Sequence, residues 1–374
     1  MNWARTRSFF PVTGDLAYLN HAGVAPISTR VHEAVSRYLA EATRRGAFDY
    51  ARVYDAEIER VRGRVAQLLS ASPDEIAFVK NTTEGLGLVA AGLAWQRGDQ
   101  VVSCDLEYPS NVYPWWSLAG QGVETVLLRG EAGRLPIERI DAALKSPRVR
   151  LLTLSSVEFA SGLRHDLEAI GRLCQERGVL FCVDAIQSLG CLPLDVVRSR
   201  IDFLAADGHK WLLSVEGCGI FYCARRVLDL VTPRVVGWRS VVDNQDFDRY
   251  HTQLQPGAGR FEEGTPNTPG IFALGAAVDL LLELGIDAIE GRVLALTERL
   301  AVGLRERGAL CLSPRGPGEA SGIVSFRLPD EPVERTVARL RARRIFVVAR
   351  RGGVRASPHF YNDEGEIDRL LAAL

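Results

Sequence analysis

The feature that most constrains the fold of this chain is the alternation of apolar strand-like runs with helical segments. The runs "IAFV", "VVSC", "RLLTL" and "LFCV" are apolar at nearly every position, which is typical of strands buried on both faces. Helical segments such as "LEAIGRLCQERG" separate these runs through the first two thirds of the chain. This order predicts an α/β fold in which a mainly parallel sheet is covered by helices.

The pattern changes after about Pro256, and the change predicts a second, smaller domain. The turn-rich stretch "FEEGTPNTPG" is followed by two long helical segments and then by few strands. Such an α+β arrangement suits a small domain, and 374 residues are enough for both units. We predict a large domain over residues 21–255 and a small domain that combines residues 1–20 with 256–374.

Charge, cysteine usage and hydropathy exclude several classes of protein. The formal net charge of −1 gives no attraction to nucleic acid or to an anionic membrane. No apolar run approaches the roughly 20 residues that cross a bilayer, and the N-terminus has no signal-peptide core. The seven cysteines are scattered without a CxxC pair, which is typical of reduced, buried thiols. We therefore expect a cytoplasmic protein that binds neither nucleic acid nor membrane.

Candidate binding residues follow the strands of the predicted sheet, and parallel α/β sheets bind ligands at the carboxyl ends of their strands. Asp184 ends the run "LFCVD", and Gln187 stands three residues later. His209 and Lys210 follow the run "IDFLAAD". Other strand ends contribute Asn81, Thr82, Thr83, Glu107 and Tyr108. We expect one crevice to hold an amine, a carboxylate, a hydroxyl-rich helix N-terminus and an aromatic ring.

These groups match the requirements of pyridoxal phosphate. Its aldehyde needs a primary amine to form a Schiff base, its pyridine nitrogen needs a carboxylate, and its phosphate favours a helix N-terminus. The chain has three lysines, and Lys210 is the one that follows this pattern. Lys80 also ends a strand and is the rival candidate, whereas Lys145 lies at a helix end, where a cation is favoured.

Three motifs resemble the class V aminotransferase family, a branch of the fold type I pyridoxal phosphate enzymes. They are "VDAIQSLG", "DGHKWLL" and "FEEGTPNTP", and the likeness extends from "YLNHAGVAP" to "VRASPHFYNDEGEIDRLLAAL", nearly the whole chain. The family includes cysteine desulfurases, isopenicillin N epimerase and cysteine lyases. The resemblance implies a seven-stranded, mainly parallel sheet in the large domain and a smaller α+β C-terminal domain. It also implies pyridoxal 5'-phosphate as cofactor and an amino acid as substrate.

The resemblance also implies a role for each matched residue. Lys210 would carry the cofactor and move protons, Asp184 would pair with the pyridine nitrogen, and Gln187 would contact the phenolic oxygen. The implied phosphate ligands are Thr82, Thr83 and His209. Tyr108 stands where desulfurases stack a histidine on the cofactor ring.

Other matched positions concern the substrate and a second subunit. Gly264 and Thr265 would reach the phosphate of a neighbouring subunit, which implies a homodimer with composite active sites. Arg355 matches the arginine that grips the substrate α-carboxylate, a task suited to its two parallel donors. The remaining substrate-side candidates are His21, Ser156 and Trp238.

The resemblance leaves the reaction open. The stretch "VVARRGGVRASP" lacks the cysteine that desulfurases carry shortly before the carboxylate-binding arginine, which argues against a persulfide-forming desulfurase. Asp207 stands in place of a phosphate-binding serine and receives no role, because a carboxylate beside a phosphate is unfavourable. An aminotransferase is the first choice, with a cysteine or cystine C–S lyase or an amino-acid epimerase as alternatives.

One motif points to a different class of protein. The sequence "GLGLVA" at residues 85–90 follows a strand and mimics the glycine fingerprint of dinucleotide-binding folds. In that fingerprint the first glycine makes the turn directly after the strand, whereas "NTTE" occupies the turn here. An NAD-binding or non-catalytic α/β protein remains the alternative from another class.

Overall fold

The computed structural model describes residues 2–46, 48 and 50–374. Its helices are α1 Trp3–Arg7, α2 Thr29–Arg45, α3 Ala56–Leu69, α4 Thr82–Gly92, α5 Tyr113–Trp116, α6 Ile137–Leu144, α7 Leu167–Arg177, α8 Thr268–Leu284, α9 Ile286–Glu306, α10 Val333–Ala342 and α11 Glu364–Ala372. Its strands are β1 Ala17–Tyr18, β2 Ile76–Val79, β3 Gln100–Cys104, β4 Glu124–Leu128, β5 Val149–Ser155, β6 Leu180–Asp184, β7 Phe203–Asp207, β8 Gly219–Cys223, β9 Leu310–Cys311, β10 Val324–Arg327, β11 Ile345–Phe346, β12 Val348–Arg350 and β13 Gly353–Ala356.

The central sheet has seven strands in the order β2–β8–β7–β6–β5–β3–β4. Strand β8 runs antiparallel to both of its neighbours, β2 and β7, and the other neighbouring pairs are parallel. Six of the seven strands therefore point the same way and bring their carboxyl ends to one edge. The α/β fold with a mainly parallel sheet, predicted from the apolar runs, is confirmed.

Burial explains why these strands lack the alternation of a half-exposed sheet. Every residue of β2, β3, β7 and β8 is buried, because helices cover both faces. Only the edge strand β4 shows exposed positions at regular intervals. Within the described residues, no helix combines the length and the apolar character that crossing a membrane requires.

Buried apolar side chains form two main clusters. The larger one surrounds the central sheet, and the second joins β1 to the antiparallel sheet β12–β13–β10–β9 and to α9, α10 and α11. The division of the chain at about residue 255 stays a prediction. Helix α8 lies beyond that point, yet its Ile271, Leu274 and Val278 pack in the larger cluster.

Candidate active site

A cavity of about 400 Å³ lies at the carboxyl edge of the central sheet. Eight residues predicted from the sequence line it: Thr82, Thr83, Tyr108, Asp184, Gln187, His209, Lys210 and Arg355. The lining also includes Ala22, Gly23, Val24, Asn81, Ser110, Phe159, Ile186, Asp207 and Arg350. The strand ends expected to converge therefore do converge, because six strands share one direction.

Lys210 lies in the turn after β7, and its amine faces the cavity. Its Nζ lies 5.6 Å from the centroid of the Tyr108 ring. Burial lowers the pKa of Lys210 to about 8; the Asp184 carboxylate opposes this shift, and the Arg355 guanidinium reinforces it. A substantial fraction of the amine is thus unprotonated near neutral pH, the form that attacks a carbonyl group.

The other two lysines lie outside the cavity lining. The Lys80 side chain is 70% exposed, with its Nζ 3.5 Å from the Glu84 carboxylate. The Lys145 side chain is 59% exposed and lies 3.1 Å from Asp141. Neither amine is buried in the way that Lys210 is, so the rival candidate Lys80 is not supported.

Asp184 and Gln187 form the floor of the cavity beside the lysine. Asp184 is 1% exposed, and its Oδ1 accepts the Ile186 N–H at 3.0 Å. Burial raises the pKa of Asp184 to about 6, an effect that the Ile186 N–H and the Lys210 charge oppose. The Gln187 amide is held at both ends, since Nε2 donates to the Ala22 carbonyl and Oε1 accepts the Trp211 indole N–H.

The N-terminus of α4 presents an anion site to the cavity. Asn81 caps the helix by accepting the Glu84 N–H at 2.9 Å, and the Thr82 hydroxyl is buried with no hydrogen-bond partner. The Thr83 hydroxyl donates to Ser110 at 2.9 Å. Free N–H groups, the positive end of the helix dipole and an unpartnered buried hydroxyl together fit a phosphate group.

Helix α4 lies very close to the sheet, which explains a glycine of the "GLGLVA" motif. A Cβ atom at Gly85 would lie 2.7 Å from the Ala205 Cβ on β7. This glycine therefore allows helix–strand packing, and it lies inside α4 instead of in the turn before it. The arrangement does not support the dinucleotide-binding alternative.

His209 and Asp207 form a pair at the same edge. The His209 Nδ1 lies 3.1 Å from the Asp207 Oδ2, and Asp207 also accepts the Gly208 N–H at 2.7 Å. Both residues line the cavity. Asp207, which received no role from the sequence, therefore lies beside His209, but the contact lacks hydrogen-bond geometry, since the buried Nδ1 has no hydrogen-bond partner among the described residues.

Arg355 brings a buried positive charge to the substrate side. It is 2% exposed, and it donates to two neutral oxygens, the Phe159 carbonyl at 2.6 Å and the Asn20 Oδ1 at 3.4 Å. Its Nε is buried without a partner. Burial, reinforced by the charge of Arg350, lowers the pKa of Arg355 to about 9. A buried guanidinium without an acidic partner is suited to a carboxylate from outside the protein.

Three predicted substrate-side residues do not line this cavity. His21 is fully buried, with Nδ1 bonded to the Ser357 carbonyl at 2.7 Å and Nε2 to the Tyr361 hydroxyl at 2.6 Å. The Ser156 hydroxyl is 2.6 Å from that of Ser188. Trp238 is 38% exposed and packs against Arg239 and Phe247 away from the cavity. Since the polar atoms of His21 and Ser156 are occupied inside the protein, we remove both from the substrate contacts.

Two residues that the sequence reasoning missed complete the cavity wall. Phe159 meets the Tyr108 ring edge-on, with ring centroids 5.2 Å apart. Arg350 lines the cavity at its exposed rim. Arg350 lies in the stretch "VVARRGGVRASP" and Phe159 lies three residues after the candidate Ser156, but no periodicity shows which side chains in these loops point inward.

A buried acidic cluster lies behind the cavity. Glu107, 3% exposed, accepts the Ser155 hydroxyl at 2.6 Å. Glu158 lies 3.1 Å from the His165 Nε2 and accepts the Cys104 thiol at 3.5 Å. Burial raises the pKa of Glu158 to about 8 and that of Glu107 well above its ordinary range, and the Glu158 charge adds to the shift of Glu107. These carboxyl groups are thus held mainly in their protonated forms at neutral pH.

The raised pKa of Glu158 predicts a pH-dependent stability. Between the ordinary value of 4.5 and about 8, the folded protein retains a proton that the unfolded chain has lost. The contribution of Glu158 to the free energy of unfolding therefore falls as the pH rises through this window and is lost above about pH 8, whereas His165, whose pKa burial lowers to about 4, contributes in the opposite direction between pH 4 and 6.5. Because the glutamine in Glu158→Gln cannot ionise, we expect this variant to lose the pH dependence caused by Glu158, which amounts to on the order of a few kcal/mol in the free energy of unfolding over the window. Urea unfolding midpoints at pH 5, 6.5 and 8 measure it.

The exposed Glu216 provides the control for this prediction. It lies on the surface without a hydrogen bond to another described residue, so Glu216→Gln is expected to keep the wild-type slope. Parallel pH profiles for the wild type and Glu158→Gln would contradict the assignment of Glu158 as a buried, protonated acid.

A family model described as Aminotransferase class-V matches residues 17–370. The chain is 32% identical over 389 residues to a probable cysteine desulfurase of Pyrococcus abyssi, with 98% of this chain and 96% of the relative covered. It is 33% identical over 386 residues to a probable cysteine desulfurase of Methanothermobacter thermautotrophicus, covering 97% and 95%.

Solved structures show the same likeness. The apo cysteine desulfurase of Thermococcus onnurineus matches with a TM-score of 0.91 and 29% identity, covering 99% of this chain and 96% of that one. A mutant of C-DES with glycine covalently linked to the PLP cofactor matches with a TM-score of 0.90 and 28% identity, covering 98% of both chains. C-DES, described as a cystine C–S lyase, also matches in its complex with cysteine persulfide, with a TM-score of 0.90 and 28% identity over 97% of this chain and 98% of that one.

Proposed function

Because the chain belongs to the class V aminotransferase family and uses pyridoxal phosphate, we propose that it cleaves a carbon–sulfur bond of a sulfur-containing amino acid. One observation carries the choice of a lyase. The described cavity lining offers an amine, a carboxylate and a guanidinium, but no thiol that could take sulfur from the substrate. The sulfur-containing part of the substrate would then leave as a small-molecule product and would not be transferred to the protein.

The residues present fit the cofactor. The unpartnered Thr82 hydroxyl and the α4 N-terminus suit its phosphate, and the buried Asp184 suits its pyridine nitrogen. When bound, pyridoxal phosphate supplies an aldehyde for the Lys210 amine and a ring that withdraws electrons from the substrate α-carbon. We assign the Gln187 amide, the Tyr108 ring and His209 to further contacts with the cofactor.

The protein's own groups would then perform three tasks. Arg355 holds the substrate α-carboxylate. Its Nε has no partner in the described protein, and together with an Nη nitrogen it can donate two parallel hydrogen bonds to the carboxylate. The Lys210 amine takes the proton from the α-carbon and later returns a proton to the leaving sulfur. A pKa of about 8 suits both directions of transfer, since the protonated and neutral forms are both populated near that pH.

The sequence alone favoured an aminotransferase, and that choice is not confirmed. The names of the similar proteins point to sulfur chemistry, and several are desulfurases. The argument against a desulfurase from the missing loop cysteine is therefore not supported by the relatives. Six of the seven cysteines are buried and Cys311 is half-buried, and none belongs to the described cavity lining.

Product analysis tests the proposal. The holoenzyme would be incubated with cystine and, separately, with cysteine, and pyruvate, ammonia, alanine and sulfide would be quantified. A lyase releases pyruvate and ammonia in equal amounts. Alanine together with protein-bound sulfur would instead establish a desulfurase, and conversion of the cofactor to its pyridoxamine form would establish an aminotransferase. Either result overturns the proposal.

Removal of the Thr82 hydroxyl is expected to weaken cofactor binding. Thr82→Val preserves the shape of the side chain but deletes the buried group that has no partner in the protein. We expect the dissociation constant of pyridoxal phosphate to rise about tenfold, the usual effect of losing one hydrogen bond to a charged group. Absorbance titration of the apo protein measures it. Thr43→Val, the same change on α2, should leave the constant unaltered, and an equal effect of both variants would contradict the assignment.

We also propose a homodimer in which each subunit completes the other's cofactor site. Gly264 is half-buried and Thr265 is exposed, and both lie outside the cavity of their own chain. They are therefore free to contact a second copy, as the family resemblance implies. Sedimentation equilibrium should give twice the 41.1 kDa mass of the chain, and a monomer would exclude this arrangement.

A further inference from the structure

Two guanidinium groups line the active-site cavity without a carboxylate partner among the described residues. Arg355 donates only to the neutral oxygens of Phe159 and Asn20. The Arg350 Nη1 donates to the carbonyl of its own neighbour, Ala349, at 2.9 Å. Outside the cavity, Arg134 is paired with Glu319 at 2.6 Å, whereas Arg351 donates to backbone carbonyls only.

The hairpin formed by β12 and β13 places both charges on one side of the small sheet. In its register Arg350 lies opposite Gly353, and Val348 lies opposite Arg355. Residues two apart in a strand share a face, so Arg350 and Arg355 are diagonal neighbours on the same face. Their mutual repulsion is consistent with the influence of Arg350 on the pKa of Arg355.

Hydrogen bonds from the neighbouring Arg351 fix the turn that carries Arg350. Arg351 adopts a left-handed backbone conformation (φ 40°) and donates to the carbonyl oxygens of Asp105 at 2.9 Å and Glu107 at 3.1 Å. The same loop carries Tyr108, which forms the wall facing Lys210. The position of Arg350 at the cavity rim is thus set by the fold and does not depend on a ligand.

The carboxylates of the cavity cannot neutralise this pair. Asp184 is buried beside Lys210, and Asp207 lies beside His209 and accepts the Gly208 N–H. The substrate α-carboxylate would satisfy Arg355 alone. Among the described residues of one chain, the positive charge of Arg350 then remains without a carboxylate partner.

We propose that Arg350 binds a second anionic group of the substrate, carried at the far end of its sulfur-linked side chain. The substrate class would be an amino acid whose sulfur-containing leaving group bears a carboxylate or a similar acid. This inference rests on the proposed function for the identity of the reaction. The second anion site itself rests only on the geometry of the cavity.

A pair of nearly isosteric compounds tests the charge directly. The two compounds differ only at the end of the side chain. S-carboxymethylcysteine ends in a carboxylic acid, and S-carbamoylmethylcysteine ends in a neutral amide. With the holoenzyme we expect the acid to be preferred by about three- to tenfold, the range for an ion pair at an exposed rim that is strengthened by hydrogen bonding. Preference is measured as kcat/KM for pyruvate release and as the dissociation constant from the change in cofactor absorbance.

Arg350→Gln should abolish this preference. Any effect of the substitution on Arg355 acts on both compounds alike, so the ratio of the two kcat/KM values reports the distal group alone. Arg327→Gln, an exposed arginine on β10 outside the cavity, is the matched control and should keep the preference. No preference in the wild type, or an unchanged preference in Arg350→Gln, overturns the proposal.

The binding measurement separates this inference from the proposed function. If neither compound yields pyruvate but the acid still binds more tightly through Arg350, the second anion site stands and the lyase assignment fails. If pyruvate forms from both compounds at equal efficiency, the lyase assignment stands and the anion site is excluded.

Discussion

Lys210→Ala is expected to reduce kcat at least ten-thousandfold and to abolish the visible absorption band of the cofactor joined to a lysine amine. The substitution removes two functions at once, the attachment of the cofactor and the transfer of the α-proton. General acid–base transfer alone contributes about 10²- to 10⁴-fold in enzymes. The low pKa of about 8, caused mainly by burial, indicates that the site is built for an amine that changes protonation state.

Lys210→Arg should be as inactive as the alanine variant. A guanidinium retains the charge and much of the length, but it does not form a Schiff base and does not release its proton near neutral pH. Lys80→Ala is the control, because that side chain is exposed and paired with Glu84. Visible spectra of the purified proteins and initial rates of product formation measure both effects. A band that survives in Lys210→Ala would refute the assignment of this lysine.

Arg62→Ala is expected to produce the largest loss of stability among the variants considered. Arg62 and Glu262 are both buried, with Nη1 2.6 Å from Oε1. Arg62 also donates to the Ile76 carbonyl at 2.8 Å, and Glu262 accepts the Phe78 N–H at 2.8 Å. The pair therefore connects α3, strand β2 and the segment that precedes α8.

Removing the arginine leaves a buried carboxylate with one neutral donor. Breaking a buried ion pair in this way costs about 3–5 kcal/mol. Arg60→Ala removes neighbouring but more exposed pairs with Glu57 and Asp279 and should cost roughly 1 kcal/mol. Urea unfolding of the holo forms measures the difference. The double variant Arg62→Met with Glu262→Leu should recover only part of the loss, since no buried charge is left unpaired but the Ile76 carbonyl and the Phe78 N–H lose their partners. Equal losses for Arg62→Ala and Arg60→Ala would contradict this account.

Much of the candidate site followed from the sequence because of one topological property. When parallel strands share a direction, the residues directly after them must meet, whatever the details of packing. Asp184, Lys210 and Thr82 each lie at or just after a strand and all line the cavity. A lysine amine, a carboxylate and a helix N-terminus each have a distinct chemistry. Their joint presence after the strands was therefore enough to predict pyridoxal phosphate as the cofactor.

Side-chain direction in the loops could not be obtained in the same way. His21 and Ser156 lie in stretches near the site, but their polar atoms turn to Tyr361 and Ser188 inside the protein. Sequence position places a loop residue near a site, whereas packing decides which way it points. Glu107 was expected in the crevice because it follows a strand, but its carboxyl group turns into the buried cluster with Cys104 and Glu158 and does not line the cavity.

The sequence by itself determined the fold class and the cofactor and predicted the lysine that would carry it, because strand periodicity and residue chemistry are local properties. The tertiary structure alone decided which charges in the cavity remain without partners. Arg350 and Arg355 are separated by a tight hairpin, and only its register brings them to one face. Electrostatic balance depends on every group within a few ångströms, and those neighbours come from distant parts of the chain.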